Sequence, residues 1–435
     1  MRGLRGHSRN NNPVGVCEAG VDALAISAIL DRRLDDNLTQ PIAVAFSGGG
    51  DSLGALIATR AWAERCGRPV IALHVDHRLQ ASSAAWREVA AEAAQRLGVE
   101  FHALAWVGEK PAHGLAAAAR RARHGLIAEA AREAGATTVV FGHTADDIAE
   151  SALMRAEGSS LGPPREWRPS PVWPEGRGVF ILRPLLAVRR AAIREALRAL
   201  GWDWIDDPAN EDPRQLRARA RRQLVGAMVG PTPRADDLDP TFSAIPARFD
   251  DWGTIRFDRA RLRRAPEADG RRMLAAAMLC VGGGERPPRA ERVGALFDRL
   301  AGLEDFTATL AGARLVAGVD ILIARNGGEI ARGGLAPVAL EPGRATVWDG
   351  RFELRTDRPG LSVIALKGAQ ARMDAETRRR LKAAPAAARP ALPLVDAGGA
   401  MACPILAVDH GIDVHSLVGA RFLAACGAVS KEPRA

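Results

Sequence analysis

The segment Ser47-Gly48-Gly49-Gly50-Asp51-Ser52 constrains this chain more than any other. It follows a short apolar run, Ile42-Ala43-Val44-Ala45-Phe46, of the kind that forms a buried strand. It precedes Leu53-Gly54-Ala55-Leu56-Ile57-Ala58, which has the pattern of a helix start. A strand, a glycine turn and a helix N-terminus together make an anion site. Glycines let backbone N–H groups approach phosphate oxygens, and the helix dipole adds partial positive charge. Ser47 and Ser52 add hydroxyl donors. The turn has no lysine, so it is not the GxxxxGK[ST] nucleotide loop. Asp51 puts an acid where phosphates would lie, which suits a carboxylate that holds Mg²⁺ between them. The plainer alternative is a glycine turn whose Asp or Ser caps a helix. Gly282-Gly283-Gly284 lacks the Ser and Asp partners and has the pattern of a plain linker.

At 435 residues the chain has room for two or three domains, and an apolar fraction of 47% supplies their cores. No segment offers the long uncharged run of a transmembrane helix. Residues 1–14 are polar and Asn-rich, unlike a secretory signal. The cysteines, at 17, 66, 280, 403 and 426, form no CxxC pair and have no metal-ligand spacing. Scattered thiols of odd number fit a reducing cytoplasm. The net charge of +9 comes almost wholly from arginine, since lysine stands only at 110, 367, 382 and 431. Such a balance favours a polyanionic partner, of which nucleic acid is the commonest.

Residues 41–46, 70–75, 100–105 and 138–142 are strand-like apolar runs. Ala-rich amphipathic stretches at roughly 53–66, 83–97 and 115–134 lie between them. Alternating strands and helices predict βαβ units and an α/β fold with a mostly parallel sheet. Ligands of such a sheet bind beyond the C-terminal strand ends, where the winding reverses. The glycine loop follows the first strand, as that rule requires. Residues 158–178, rich in proline, read as a long loop. A helix is expected over about 187–200 and a linker over 231–240. A helix is also expected over 271–281, with short alternating strand-like runs at 313–316, 321–324, 345–348 and 352–355. Residues 383–393 form an Ala/Pro stretch.

Further polar segments end the other strands. His74-Val75-Asp76-His77 closes the second strand; a lone His there suits either a structural or a binding role. Gly142-His143-Thr144-Ala145-Asp146-Asp147-Ile148-Ala149-Glu150-Ser151 follows the fourth. If it is helical from about 144, Asp147 and Glu150 are i,i+3 and Asp146 and Glu150 are i,i+4. Their carboxylates then share one face. Like charges so close need a cation between them, and Mg²⁺ or a substrate ammonium would serve. The alternative is a capped helix start, where acids are also favourable. Arg120 and Arg123 stand on a helical stretch, as a solvated face or as phosphate ligands. Asp206-Asp207-Pro208-Ala209-Asn210-Glu211-Asp212 runs into Arg214, Arg217, Arg219, Arg221 and Arg222 with no acid among them. That dense positive patch suits phosphate contact.

The string S-G-G-G-D-S resembles the loop of the N-type ATP pyrophosphatases. The further segments are similar, in order, to the tRNA(Ile)-lysidine synthetases. His74 to Leu79 resembles the segment after that family's second strand, with Asp76 where Asn is usual. Residues 143–151 match H-H-x-D-D-Q-x-E-T but carry Thr144 for His, Ile148 for Gln and Ser151 for Thr. Residues 118–124 are similar to A-R-x-x-R-Y, with His124 for Tyr and Ala116 for an upstream Glu. Arg183-Pro184-Leu185-Leu186 matches R-P-L-L. Asp207-Pro208-Ala209-Asn210 resembles D-P-S-N, with Ala209 for Ser and no Asn inside the arginine cluster.

The resemblance covers residues 40–225 strongly and 240–435 weakly. It implies an extension at 1–38 and a parallel-sheet ATP pyrophosphatase catalytic domain at 39–230. A mainly helical, tRNA-contacting middle domain at 241–330 and a small α+β C-terminal domain at 335–435 would follow. It further implies an ATP-dependent ligase that acts in two steps. The wobble cytidine of tRNA(Ile) with a CAU anticodon is adenylated at O2, and free L-lysine then attacks C2, forming lysidine. Ser47, Gly48, Gly49, Gly50, Asp51, Ser52 and His74 would bind ATP. Asp51 and Asp146 would share Mg²⁺. Asp147 and Glu150 would grip lysine, and Arg219 with its neighbours would neutralise phosphate charge.

A tRNA thiolase of the same superfamily is the main rival, but its cysteines are missing near the loop except for Cys66. An amidotransferase-type synthetase would need a glutaminase, and none is visible. A noncatalytic RNA-binding protein would not need Asp51, Asp146, Asp147 and Glu150 together. The sequence leaves both a monomer and a homodimer open.

Overall fold

The computed structural model describes residues 26–79, 83–158, 162–206, 216–224, 245–370, 373–396, 401–406 and 411–434. Cysteine 17, the segment 207–214 and the expected linker at 231–240 lie outside them. The chain divides into two compact units, one of residues 1–241 with 429–435 and one of residues 242–428.

In the first unit, α1 (Ser27–Arg33) leads into β1 (Ile42–Ala45), α2 (Gly50–Cys66), β2 (Val70–Asp76), α3 (Ser83–Arg96) and β3 (Glu100–Ala105). Then come α4 (Leu115–Glu133), β4 (Thr138–Phe141), α5 (Ala145–Ala156), β5 (Trp167–Pro169), β6 (Phe180–Leu182), α6 (Arg190–Ala199) and α7 (Leu216–Leu224). The sheet order is β3-β2-β1-β4-β6-β5. All neighbours are parallel except β5, which runs antiparallel to β6. The first four strands and their helices stand where apolar periodicity placed them. The segment taken for a long loop contains β5, a strand too short and proline-bounded to show a period. Val44 pairs with Ala72 on one side and Val140 on the other, so β1 is central. Its residues are apolar throughout because both faces are covered. The winding reverses between β1 and β4, so the loops after these two strands meet at the sheet's C-terminal edge.

The opposite edge is closed by the chain's last residues. Glu432 accepts from Arg68 Nη1 at 2.7 Å and Nη2 at 3.1 Å. Both side chains have 0% exposure. Arg68 also donates to the carbonyls of Gln40 and Asp35, and Thr137 Oγ1 donates to Glu432. The starts of β1, β2 and β4 are thereby tied together. Nothing in the sequence marks this pair, because its members are far apart along the chain.

In the second unit, β7 (Ala247–Phe249), β8 (Ile255–Asp258), β9 (Phe306–Leu310), β10 (Ala313–Ala317) and β11 (Asp320–Arg325) form an antiparallel sheet, ordered β7-β8-β11-β10-β9. One core joins it to α8 (Arg259–Arg264), α9 (Glu267–Val281), α10 (Ala290–Ala301) and a helix at Val418–Cys426. Helical residues outnumber strand residues here, and the sheet was legible only at β10 and β11. A second core, around Trp348, Phe352, Leu354 and Leu394, holds a four-stranded and a three-stranded sheet. The Ala/Pro stretch leads into one of these strands, Pro393–Asp396. The glycine run at 282–284 is not a plain linker. A Cβ on Gly282 would strike the Ala311 carbonyl, and one on Gly283 the Asp349 carbonyl. Gly283 also has φ +71. The run is a packing contact that needs residues without side chains.

Glu432→Ala would leave the Arg68 charge buried and unpaired. It is expected to lower the unfolding free energy by about 3–5 kcal/mol, whereas replacing Arg68 and Glu432 together by apolar residues should cost far less. Urea unfolding of the single and double variants checks this.

Candidate active site

The glycine loop bridges β1 to α2. Gly48 has φ +85, a left-handed conformation that glycine adopts without strain. Ser47 and Ser52 lock the turn across its ends. Ser52 Oγ donates to the Gly49 carbonyl at 2.9 Å and lies 3.0 Å from Ser47 Oγ. The two hydroxyls thus shape the loop as well as offering donors. Asp51 sits in the first turn of α2. The end of β4 comes so close that a Cβ on Gly142 would lie 2.5 Å from the Asp51 carbonyl. That approach brings the segment 142–151 beside the loop.

Thr144 caps α5, and its reciprocal partner is Asp147. Thr144 N–H and Oγ1 donate to Asp147 Oδ2 at 2.7 and 2.9 Å. The Thr144 hydroxyl therefore fixes the Asp147 carboxylate in place. Asp147 and Glu150 are buried, and Asp146 is half-buried. Burial works to raise the Asp147 carboxyl. The charges of Arg217 and Arg190, with the Thr144 N–H bond, outweigh it and hold the group down at about 2. Burial also lifts the Asp51 carboxyl, against the opposing charge of Arg190.

Arginines close over these acids. Arg217 Nη2 donates to Asp147 Oδ1 at 2.7 Å and its Nε to Glu150 Oε2 at 3.0 Å. Arg221 Nε donates to Glu150 Oε1 at 2.9 Å. Both stand on α7, which packs against α5. Arg219 points elsewhere and lies 3.8 Å from Glu157. Arg190, which sequence reasoning missed, donates from Nε to Asp51 Oδ2 at 2.8 Å and from Nη1 to Glu150 Oε1 at 3.2 Å. Its only sequence signal was its place at the start of the expected helix after R-P-L-L.

A second basic layer lies beneath. Arg183 Nε donates to His143 Nδ1 at 3.0 Å, which leaves that imidazole neutral with its proton on Nε2. Burial, then the Arg183 charge, keep His143 well below the usual histidine range. Burial and the neighbouring arginines lower Arg183 to about 9 and Arg123 to about 10. His124 stacks on Phe141 at 5.2 Å, and neither of its ring nitrogens has a hydrogen-bond partner among the described residues. His74 is also buried, and its Nδ1 donates to the Phe46 carbonyl at 3.0 Å. That bond joins the ends of β1 and β2 and leaves Nε2 as the edge of the ring available to a ligand.

Among the described residues, no three His, Cys, Asp or Glu side chains converge as a ready metal cage. Asp51 and Asp146 each direct a carboxylate oxygen, the hard donor that Mg²⁺ prefers, toward Arg190. The Arg190 backbone N–H meets Asp146 Oδ2 at 2.8 Å, and its Nε meets Asp51. Mg²⁺ commonly takes only one or two carboxylates and fills its shell with phosphate and water.

The fold and loop define an ATP-binding class, and a family profile described as a PP-loop domain matches residues 25–228. A tRNA(Ile)-lysidine synthase from Caulobacter vibrioides is 48% identical over 94% of this chain and 98% of its own length. One of the same name from Hyphomonas neptunium is 37% identical over 70% of this chain and 85% of its own length. A third, from Rhizobium meliloti, is 33% identical over 74% of this chain and 75% of its own length. The chain belongs to the tRNA(Ile)-lysidine synthase family.

The depressed Asp147 carboxyl links stability to pH. It contributes stability above its ordinary value of 3.8, and the contribution is lost as pH falls toward about 2. In Asp147→Asn the unfolding free energy should fall less steeply than in the parent across that interval. Denaturant unfolding at several acidic pH values checks it.

Proposed function

We propose that this protein joins free L-lysine to C2 of the wobble cytidine of tRNA(Ile) with a CAU anticodon, through an adenylated tRNA. The observation that carries the reading is the convergence of the glycine-loop acid Asp51 with Asp147 and Glu150 around one set of guanidiniums, with Asp146 held beside them by the Arg190 backbone N–H. Phosphate chemistry and amine recognition thus share one edge of the sheet. Family membership supports the substrate, and the PP-loop domain supports ATP.

In the first step, the cytosine O2 attacks the α-phosphate of ATP and pyrophosphate leaves. The N–H groups of the loop and the start of α2, with Ser47 and Ser52, cradle the pyrophosphate. Mg²⁺ held by Asp51 and Asp146 would supply charge neutralisation of the phosphates. His74 borders the nucleotide through its free Nε2. In the second step, the lysine amine attacks C2 and AMP leaves. Asp147 and Glu150 grip an ammonium of lysine, which competes with Arg217 for the same oxygens. An Arg217 released in this way, with Arg219, Arg221 and Arg222 on the same helix, offers positive charge to phosphate. The two cores of the second unit serve as the middle and C-terminal tRNA-contacting modules.

Sulfur transfer is the weaker reading. Burial raises the thiols of Cys280 to about 12 and Cys403 to about 11, and it also raises Cys66 and Cys426. Thiols so shifted are poor nucleophiles.

Two measurements test the assignment. Asp51→Ala should abolish tRNA-dependent pyrophosphate release from a folded protein; near-normal release would remove Asp51 from phosphate handling. Asp147→Ala should accumulate adenylated tRNA, because lysine is no longer held. Equal loss of adenylation and lysine-dependent AMP release would instead make Asp147 a structural acid.

A further inference from the structure

We propose that Arg190 is a positioning residue that ties the glycine-loop acid to the paired acids of α5, so that one guanidinium sets both the ATP half and the lysine half of the site. Its contacts reach three carboxylates on two elements. Nε lies 2.8 Å from Asp51 Oδ2, Nη1 lies 3.2 Å from Glu150 Oε1, and Nη2 lies 3.7 Å from Asp147 Oδ2. Its backbone N–H adds the bond to Asp146 Oδ2. The side chain is only 14% exposed. Lysine, a point charge with one nitrogen, cannot span such a set; the planar fork of arginine can.

The base of this side chain is fixed from two directions. Ala145 N–H donates to the Val188 carbonyl at 2.9 Å, which docks the segment before α6 onto the start of α5. Ile193, one turn into α6, is buried against α2, where a Cβ on Gly54 would lie 2.7 Å from Ile193 Cγ2. Arg190 therefore starts from a rigid point between the two acid-bearing helices. The other groups that face these acids are Arg217 and Arg221 from α7, Thr144 and His143 from the approach to α5, and Arg194 from α6, whose charge also acts on Asp51. Arg217, Arg221 and Thr144 bond only Asp147 and Glu150 among them, whereas Arg190 hydrogen-bonds Asp51 as well as Glu150.

The inference rests on the assignment of Asp51 to ATP and of Asp147 and Glu150 to lysine. It is tested with Arg190→Gln and Arg190→Lys in the full chain. KM for ATP is read from pyrophosphate release and KM for lysine from AMP release. Loss of a charged hydrogen bond on each side should raise both KM values in Arg190→Gln by about tenfold. Arg190→Lys keeps the charge without the fork, so both values should rise by less while the unfolding midpoint stays near the parent's. Mn²⁺ titrated into protein without ATP gives a readout independent of turnover. Acids deprived of their shared counter-charge should bind Mn²⁺ more tightly in Arg190→Gln, and Arg190→Lys should reverse this. A change in only one KM, or in neither, with Mn²⁺ affinity unmoved, overturns the proposal. If Arg190→Gln does not fold, unchanged KM values in Arg190→Lys overturn it as well. An error in the underlying assignment is distinguishable: Asp51→Ala would then spare KM for ATP, or Glu150→Ala would spare KM for lysine.

Discussion

Carboxylates brought together and partly dehydrated dominate this structure. Asp51, Asp147 and Glu150 lie close enough that unneutralised charge would be costly, and burial alone would push the carboxyls of Asp51 and Asp147 toward protonation. Arginine charge resolves the conflict. Arg190, Arg217 and Arg221 reach the acids from α6 and α7, and Asp147 stays ionised well below its ordinary range. The local architecture follows from this need. Gly142 lets β4 end against the start of α2, Thr144 fixes Asp147, and α7 lies on α5 so that its arginines meet the acids. Under the proposed function, these arginine contacts would be exchanged for a substrate ammonium or a divalent cation.

Much of this was legible in the sequence. β1, β2 and β4 carry apolar runs because each is largely buried by its neighbours, while the edge strand β3 keeps a weaker pattern with partial cover. The glycine loop and the acids of 146–150 are contiguous in sequence, so their spacing could be read directly. Arg190 is not contiguous with either, and a single arginine at a helix start carries no pattern. The partner of Asp147 was likewise hidden, since only the fold turns Arg217 rather than Arg219 toward it. The Arg68–Glu432 pair could not be anticipated by any local rule, because its members are separated by nearly the whole chain.

The second unit shows the same limit in another form. Its strands β10 and β11 alternate visibly, but β8 and the strand at Ile412–Ser416 are short and mix charge with apolar residues. Their identity depends on the partners they meet. The glycine run at 282–284 was misread for the same reason. Glycine supplies no positive signal of contact, and only the nearby Ala311 and Asp349 carbonyls show why side chains are absent. Function was more readable than this part of the fold, because chemistry places its residues at strand ends that a parallel sheet brings together.

The most direct test of the account uses tRNA(Ile) with a CAU anticodon, incubated with the protein, ATP and isotopically labelled lysine. The tRNA is digested to nucleosides and weighed by mass spectrometry. The account requires a labelled nucleoside equal to cytidine plus lysine less water, formed only when ATP is present. Labelled lysine absent from every nucleoside, or a sulfur-bearing nucleoside in its place, would contradict it.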